Sequence, residues 1–165
     1  MAAPTSTADS VVVTGASGFV GSAIATVFRQ RGFQVRVLVR SSSPRTNIDP
    51  ADEVVVGDLL DRASLAQALK GARYLVHAAA DYRLWAPSFE QLIRANVEGT
   101  RTIMEEAQRA GVERIVYTSS VATIDLRAGG IADETARPGH HNRAERLRSC
   151  GHGRCDLENR VVGKS

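Results

Sequence analysis

The chain has 165 residues, 43% of them hydrophobic, and a formal net charge of +3. That length builds one domain with a real core, and no apolar run approaches the ~20 residues a membrane-spanning helix needs. The positive charge is local: residues 139–165 hold six Lys/Arg against three Asp/Glu, whereas residues 1–138 hold fifteen of each, so the body of the chain offers no basic face for nucleic acid.

Residues 1–9 (M-A-A-P-T-S-T-A-D) have neither the basic start nor the apolar stretch of a secretory leader. They read as a frayed N-terminus on a cytoplasmic chain.

The first patterned stretch is Val11 to Gly21, V-V-V-T-G-A-S-G-F-V-G. Three β-branched residues run into glycines at 15, 18 and 21, and Phe19, Val20, Ala23, Ile24, Val27 and Phe28 follow at helical spacing on one face. The reading is strand, tight turn, helix. Such a turn cradles phosphate: Gly15 allows the reversal, Gly18 lets a pyrophosphate approach the backbone, and Gly21 lets the helix pack close to the strand. The ligand's charge meets unpaired N–H groups at the helix start. Ser17, Phe19 and Val20 lie in the same cradle.

Gly32 stops the helix after Ser22–Arg31. Gln34 to Val39 alternates and is β-rich, a second strand. Where NAD-specific folds place an acidic residue near the end of this strand, Arg40 stands here, followed by three serines. A guanidinium suits a 2′-phosphate, so the expected cofactor is NADP, with NAD the alternative. Glu53 to Val56 is a third strand, ending in Gly57-Asp58-Leu59. Asp58 either accepts from an adenine amino group or caps the next turn. Asp61 N-caps a helix over Arg62–Lys70 with Leu65, Ala68 and Leu69 inward, and Gly71 ends it.

Arg73 to His77 is the fourth strand, and Ala78, Ala79 and Ala80 leave room for a flat cofactor. His77, inside a buried pattern, reads as a packing or hydrogen-bonded residue. Tyr82, Arg83 and Trp85 form a loop that either touches substrate or is ordinary surface. A long helix, Phe89 to Ala110, follows the 3.6-residue period through Phe89, Leu92, Ile93, Val97, Thr100, Ile103, Met104 and Ala107. Asn96 on its inward face needs a polar partner, and Gly99 implies a close neighbour. Val112 to Tyr117 is the fifth strand, leading into Thr118-Ser119-Ser120.

Four features stand in order: T-G-A-S-G-F-V-G, G-D-L at 57–59, H-A-A-A at 77–80 with N-V-E-G-T at 96–100, and R-I-V-Y-T-S-S at 114–120. Together they resemble the extended short-chain dehydrogenase/reductases, the NAD-dependent epimerase/dehydratase group. Within it the chain is similar to dihydroflavonol-reductase-like proteins and to hopanoid-associated sugar epimerases. The resemblance implies an α/β fold, a Rossmann-type doubly wound parallel sheet of order 3-2-1-4-5. It also implies a nicotinamide dinucleotide and a small sugar or flavonoid-like carbonyl or alcohol substrate. The cofactor residues carried over are Gly15, Ser17, Gly18, Phe19, Val20, Gly21, Arg40, Asp58, Leu59, Ala78, Ala79, Ala80 and Asn96. Ser120 matches the family's catalytic serine, with Ser119 as runner-up.

The family's catalytic tyrosine and lysine, a Y-x-x-x-K that the resemblance places beyond the serine, have no counterpart. No tyrosine follows Tyr117, and Lys164 has no tyrosine four residues before it. The expected product is a dinucleotide-binding part without the acid/base pair, the alternative a non-catalytic dinucleotide- or partner-binding domain. The family pattern runs through A-D-E-T at 132–135; from about Arg137 apolar periodicity vanishes while Arg, Gly, His and Cys rise. This matches an out-of-frame reading of a GC-rich gene, so the expected organisation is 1–9, a Rossmann domain over 10–136, and an irregular, non-family tail over 137–165. The tail's Cys150, Cys155, His140, His141 and His152 lack the second cysteine pair of a zinc site, and no metal is expected.

Overall fold

The computed structural model describes residues 9–81 and 89–120, with side chains in the second stretch from Arg94 onward. The expectations for the N-terminal tail, the Tyr82–Trp85 loop and the region from 137 lie outside the described residues, as do the Phe89, Leu92 and Ile93 side chains.

Among the described residues five strands and three helices follow one another: β1 (Ser10–Thr14), α1 (Phe19–Gln30), β2 (Gln34–Val39), β3 (Glu53–Val56), α2 (Arg62–Leu69), β4 (Tyr74–His77), α3 (Phe89–Arg109) and β5 (Arg114–Tyr117). Every pairing is parallel and the order is β3-β2-β1-β4-β5, as the sequence predicts. The ends move by one to three residues: β5 begins at Arg114 rather than Val112, and α1 begins at Phe19 rather than Ser22. The chain divides into two compact units within α3, one of residues 9–79 and 102–117, the other of 80–101 and 118–120.

In the first unit β1 supplies both faces of the sheet. Val11 and Val13 pack with Ala25, Val35, Val37, Val39 and Val76 on the α1 side. Val12 packs with Leu38, Val55, Leu65, Ala68, Leu69, Leu75, Ile103 and Ala107 on the other. A strand covered on both faces reads as a continuous valine run because every second residue meets a different helix layer. Leu65, Leu69 and Leu75 have no exposed surface, and each contributes roughly 1.5–3 kcal/mol by leaving water. Asp61 caps α2 by accepting from the Ala63 N–H at 3.1 Å, and Gly32, Gly71 and Gly111 end the three helices with positive φ. Arg62 donates to Glu106 at 2.7 Å and ties α2 to the end of α3.

The apolar residues of α1 share one face, much of it open: Phe19 is 87% exposed, Val20 51% and Val27 45%, while Ile24 and Phe28 are only partly buried. The buried positions are Gly21 and Ala25. Small residues win the inward face because the helix start lies directly on the glycine turn, where a large side chain has no room.

In the second unit Asn96, Gly99 and Thr100 are buried on α3 and Val97 is half-buried, in line with the predicted inward stripe.

Candidate functional site

The site is built where β1 turns into α1. Thr14 ends the strand, Gly15 takes φ +76°, and the Gly18 N–H donates to the Gly15 carbonyl at 2.9 Å. The loop closes within four residues and leaves the helix start facing outward. The first bond into the helix is Ser22 N–H to Gly18 carbonyl at 3.1 Å. The N–H groups of Phe19, Val20 and Gly21 therefore have no acceptor among the described residues, and no acidic side chain stands in the first turn. Three free donors on a helix N-terminus form an anion cradle.

The three glycines have different reasons. A Cβ on Gly15 would lie 2.8 Å from the Ala78 carbonyl carbon and from the Ala79 nitrogen, so the turn rests on the exit of β4. A Cβ on Gly21 would lie 2.2 Å from the Gly15 oxygen, so the helix rests on the turn. Gly18 is unlike both. Its φ of −93° is open to any residue, and a Cβ there would meet only the Gly15 oxygen, at 3.4 Å. The protein itself does not require glycine at 18.

Ala78 and Ala79 touch Gly15 from below. Leu59 packs against the core from the loop after β3. Asp58 does cap its own turn: one carboxylate oxygen accepts from the Leu60 N–H at 2.9 Å, while its other oxygen has no partner among the described residues. Arg40 is exposed directly after β2, and neither it nor Arg45 has a carboxylate partner among the described residues. His77 is buried and hydrogen-bonded, with Nδ1 2.7 Å from the Thr14 hydroxyl; burial lowers its pKa to about 4.

Two contributors were not read from the sequence. Thr14 accepts from the Ala79 N–H at 3.1 Å through its hydroxyl and so ties β1 to the β4 exit; a hydroxyl ending an all-valine strand was the available signal. Asn47 donates to the Ser17 carbonyl at 2.9 Å, fastening the loop that follows Arg40 to the glycine turn. That bond spans thirty positions and has no local signal.

In the second unit, Asn96 accepts from the Asp81 N–H and donates to the Asp81 carbonyl, both at 2.7 Å. Its amide is engaged with the backbone that follows Ala80, which is the polar partner the sequence demanded. Ser119 is exposed and Ser120 half-buried just after β5. Among the described residues no His/Cys/Asp/Glu group is arranged for a metal, and no helix is long and apolar enough to cross a membrane.

The profile of the NAD dependent epimerase/dehydratase family matches residues 11–144. The chain belongs to that family. The match runs past residue 136, where the readable family motifs stop. Among curated relatives, a Synechocystis protein named for dihydroflavonol 4-reductase is 49% identical over 131 residues, covering 78% of this chain and 38% of that protein. Sterol demethylase protein B of Methylococcus capsulatus is 39% identical over 74% of this chain and 38% of its own length. Among solved structures, gox2253 is 53% identical with a TM-score of 0.73, over 79% of this chain and 40% of that one. A short-chain dehydrogenase/reductase superfamily protein from Agrobacterium tumefaciens, with bound NAD, is 29% identical with a TM-score of 0.68, over 86% and 42%. The chain thus spans less than half the length of each of these family relatives.

Proposed function

We propose that this chain binds a nicotinamide dinucleotide with its pyrophosphate on the Phe19, Val20 and Gly21 amides, as the cofactor-holding part of a reductase or sugar epimerase. The observation that carries this is Gly18. Its missing side chain has no explanation among the described residues and a ready one in a phosphate lying against it. The NAD-bound family neighbour supports the same reading.

The cofactor is NADP(H) rather than NAD(H). Arg40, exposed and without a carboxylate partner among the described residues, supplies a guanidinium for a 2′-phosphate where an acidic residue would repel it. The free oxygen of Asp58 accepts from the adenine amino group. Ala78, Ala79 and Ala80 line the backbone on which the dinucleotide lies, and Asn96 acts through the Asp81 main chain. When bound, the nicotinamide supplies hydride transfer. Ser120, with Ser119 the second candidate, orients the oxygen of a sugar or flavonoid-like carbonyl or alcohol. The proton-transfer step needs a tyrosine of lowered pKa, and no tyrosine follows Tyr117. These 165 residues therefore hold cofactor without turning it over. That same absence favours a second reading, a dinucleotide-binding domain that serves a partner.

Titration of the purified chain followed by nicotinamide fluorescence tests the proposal. Saturable binding of NADPH, tighter than NADH and without substrate turnover, is expected. A chain that stays folded and binds neither dinucleotide refutes it.

A further inference from the structure

His77 stands at the end of β4, in register with Thr14 at the end of β1. Neither side chain is accessible to water beyond 1%. The Thr14 hydroxyl oxygen lies 2.7 Å from His77 Nδ1, and the Ala79 N–H donates to the same oxygen at 3.1 Å. A hydroxyl has one proton and accepts with its lone pairs. Ala79 can only donate, and Nδ1 is the acceptor in reach of the hydroxyl proton among the described residues, so the buried hydroxyl is fully satisfied when Nδ1 presents a lone pair. The imidazole is then the tautomer with its proton on Nε2. Tyr117 stacks on the ring at 5.4 Å between centroids and 15° between planes, which fixes the direction of that lone pair.

The consequence reaches the glycine turn. The Ala79 nitrogen held by Thr14 is one of the atoms that a Cβ on Gly15 would meet, at 2.8 Å. The spacing between the β4 exit and the turn is therefore set by a chain of contacts running Tyr117, His77, Thr14, Ala79, Gly15.

We propose that His77 is a positioning residue for the dinucleotide, resting on the binding reading above: its Nδ1 accepts the Thr14 proton, which aims the hydroxyl lone pair at Ala79 and holds Ala78–Ala79 as a floor beneath Gly15. Neutral imidazole is required, because an imidazolium has no lone pair to accept with. Burial keeps the ring neutral.

Four variants and one spectrum test this. Asparagine keeps an acceptor at the δ position, so His77→Asn should bind NADPH within about threefold of the unsubstituted chain. His77→Leu and Thr14→Val each remove one end of a single buried hydrogen bond and should weaken binding roughly 5–10-fold, corrected for the folded fraction. The double variant should be no weaker than either single one, because both cut the same link. Nitrogen-correlated NMR of the unsubstituted chain should show the proton on Nε2. That pattern supports the role. Leucine at 77 binding NADPH as the unsubstituted chain does, at equal folded fraction, overturns it, since a purely structural histidine would lower stability alone. A proton on Nδ1 overturns it as well. An unsubstituted chain with the Nε2 tautomer that binds no dinucleotide overturns the binding reading, and this role with it.

Discussion

A methyl group on Gly21 would sit 2.2 Å from the carbonyl oxygen of Gly15. The oxygen is backbone and a Cβ is fixed by the backbone that bears it, one in the loop and one in the first turn of α1, so neither can rotate away. Gly21→Ala must push the helix off the turn. A loss of ~3 kcal/mol or more is expected, the range of severe overpacking, and urea unfolding against the unsubstituted chain measures it. A midpoint within error would show that the helix slides without penalty.

Gly18→Ala separates stability from binding. The backbone there is extended and a Cβ has ordinary contacts only. Stability should change by less than about 0.5 kcal/mol, or rise slightly because the unfolded chain loses freedom. NADPH affinity should fall at least ~10-fold, since the methyl enters the space the phosphate needs. Equal affinity in a folded variant would remove the main support for the cradle.

Arg40→Asp should invert cofactor preference. The carboxylate repels a 2′-phosphate and accepts from a 2′-hydroxyl. NADPH affinity should drop by about 10–100-fold, the size of one or two charge-assisted hydrogen bonds, while NADH holds or improves. Competition titrations with both dinucleotides give the ratio, and an unchanged ratio would assign the 2′-phosphate to another group.

His77 makes stability depend on pH in a definite direction. Its folded pKa lies near 4, below the ordinary 6.5, so the unfolded chain takes up a proton first. The stabilisation of the neutral form is complete above pH ~6.5 and is lost as pH falls from there through about 4. The full contribution is on the order of 3 kcal/mol. Thr14 and Tyr117 are the groups that pack on the ring. Urea midpoints at pH 7.5 and 5 should therefore differ more for the unsubstituted chain than for His77→Asn. Identical pH slopes would mean the ring charges freely.

Asn96→Leu leaves the Asp81 N–H and carbonyl without their two 2.7 Å partners. A loss of roughly 1–3 kcal/mol is expected, with faster amide exchange at Asp81. Unchanged exchange there would mean another group takes over.

Most of the fold was legible because its signals are local. The valine run of β1, the alternation of β2 and the 3.6-residue period of α3 each fit within one element. The glycine spacing of 15, 18 and 21 named the cradle before any contact was known. For α1, periodicity showed that the apolar residues share a face, but not which residues are buried: those are Gly21 and Ala25, whose smallness lets the helix reach the turn. Asp58 was undecided in sequence because capping and ligand binding use the same carboxylate, and one of its oxygens caps.

The amino-acid order alone determined the succession of strands and helices, the glycine turn, the arginine after β2 and the lack of a tyrosine beyond Tyr117. These are properties of neighbours in the chain, set by backbone freedom and side-chain chemistry. Only the tertiary structure decided that Gly15 and Gly21 lie against backbone while a Cβ on Gly18 would have ordinary contact only, and that His77 meets Thr14. Such distinctions depend on which atoms from distant strands occupy a few cubic ångströms, and no pattern along the chain carries that information.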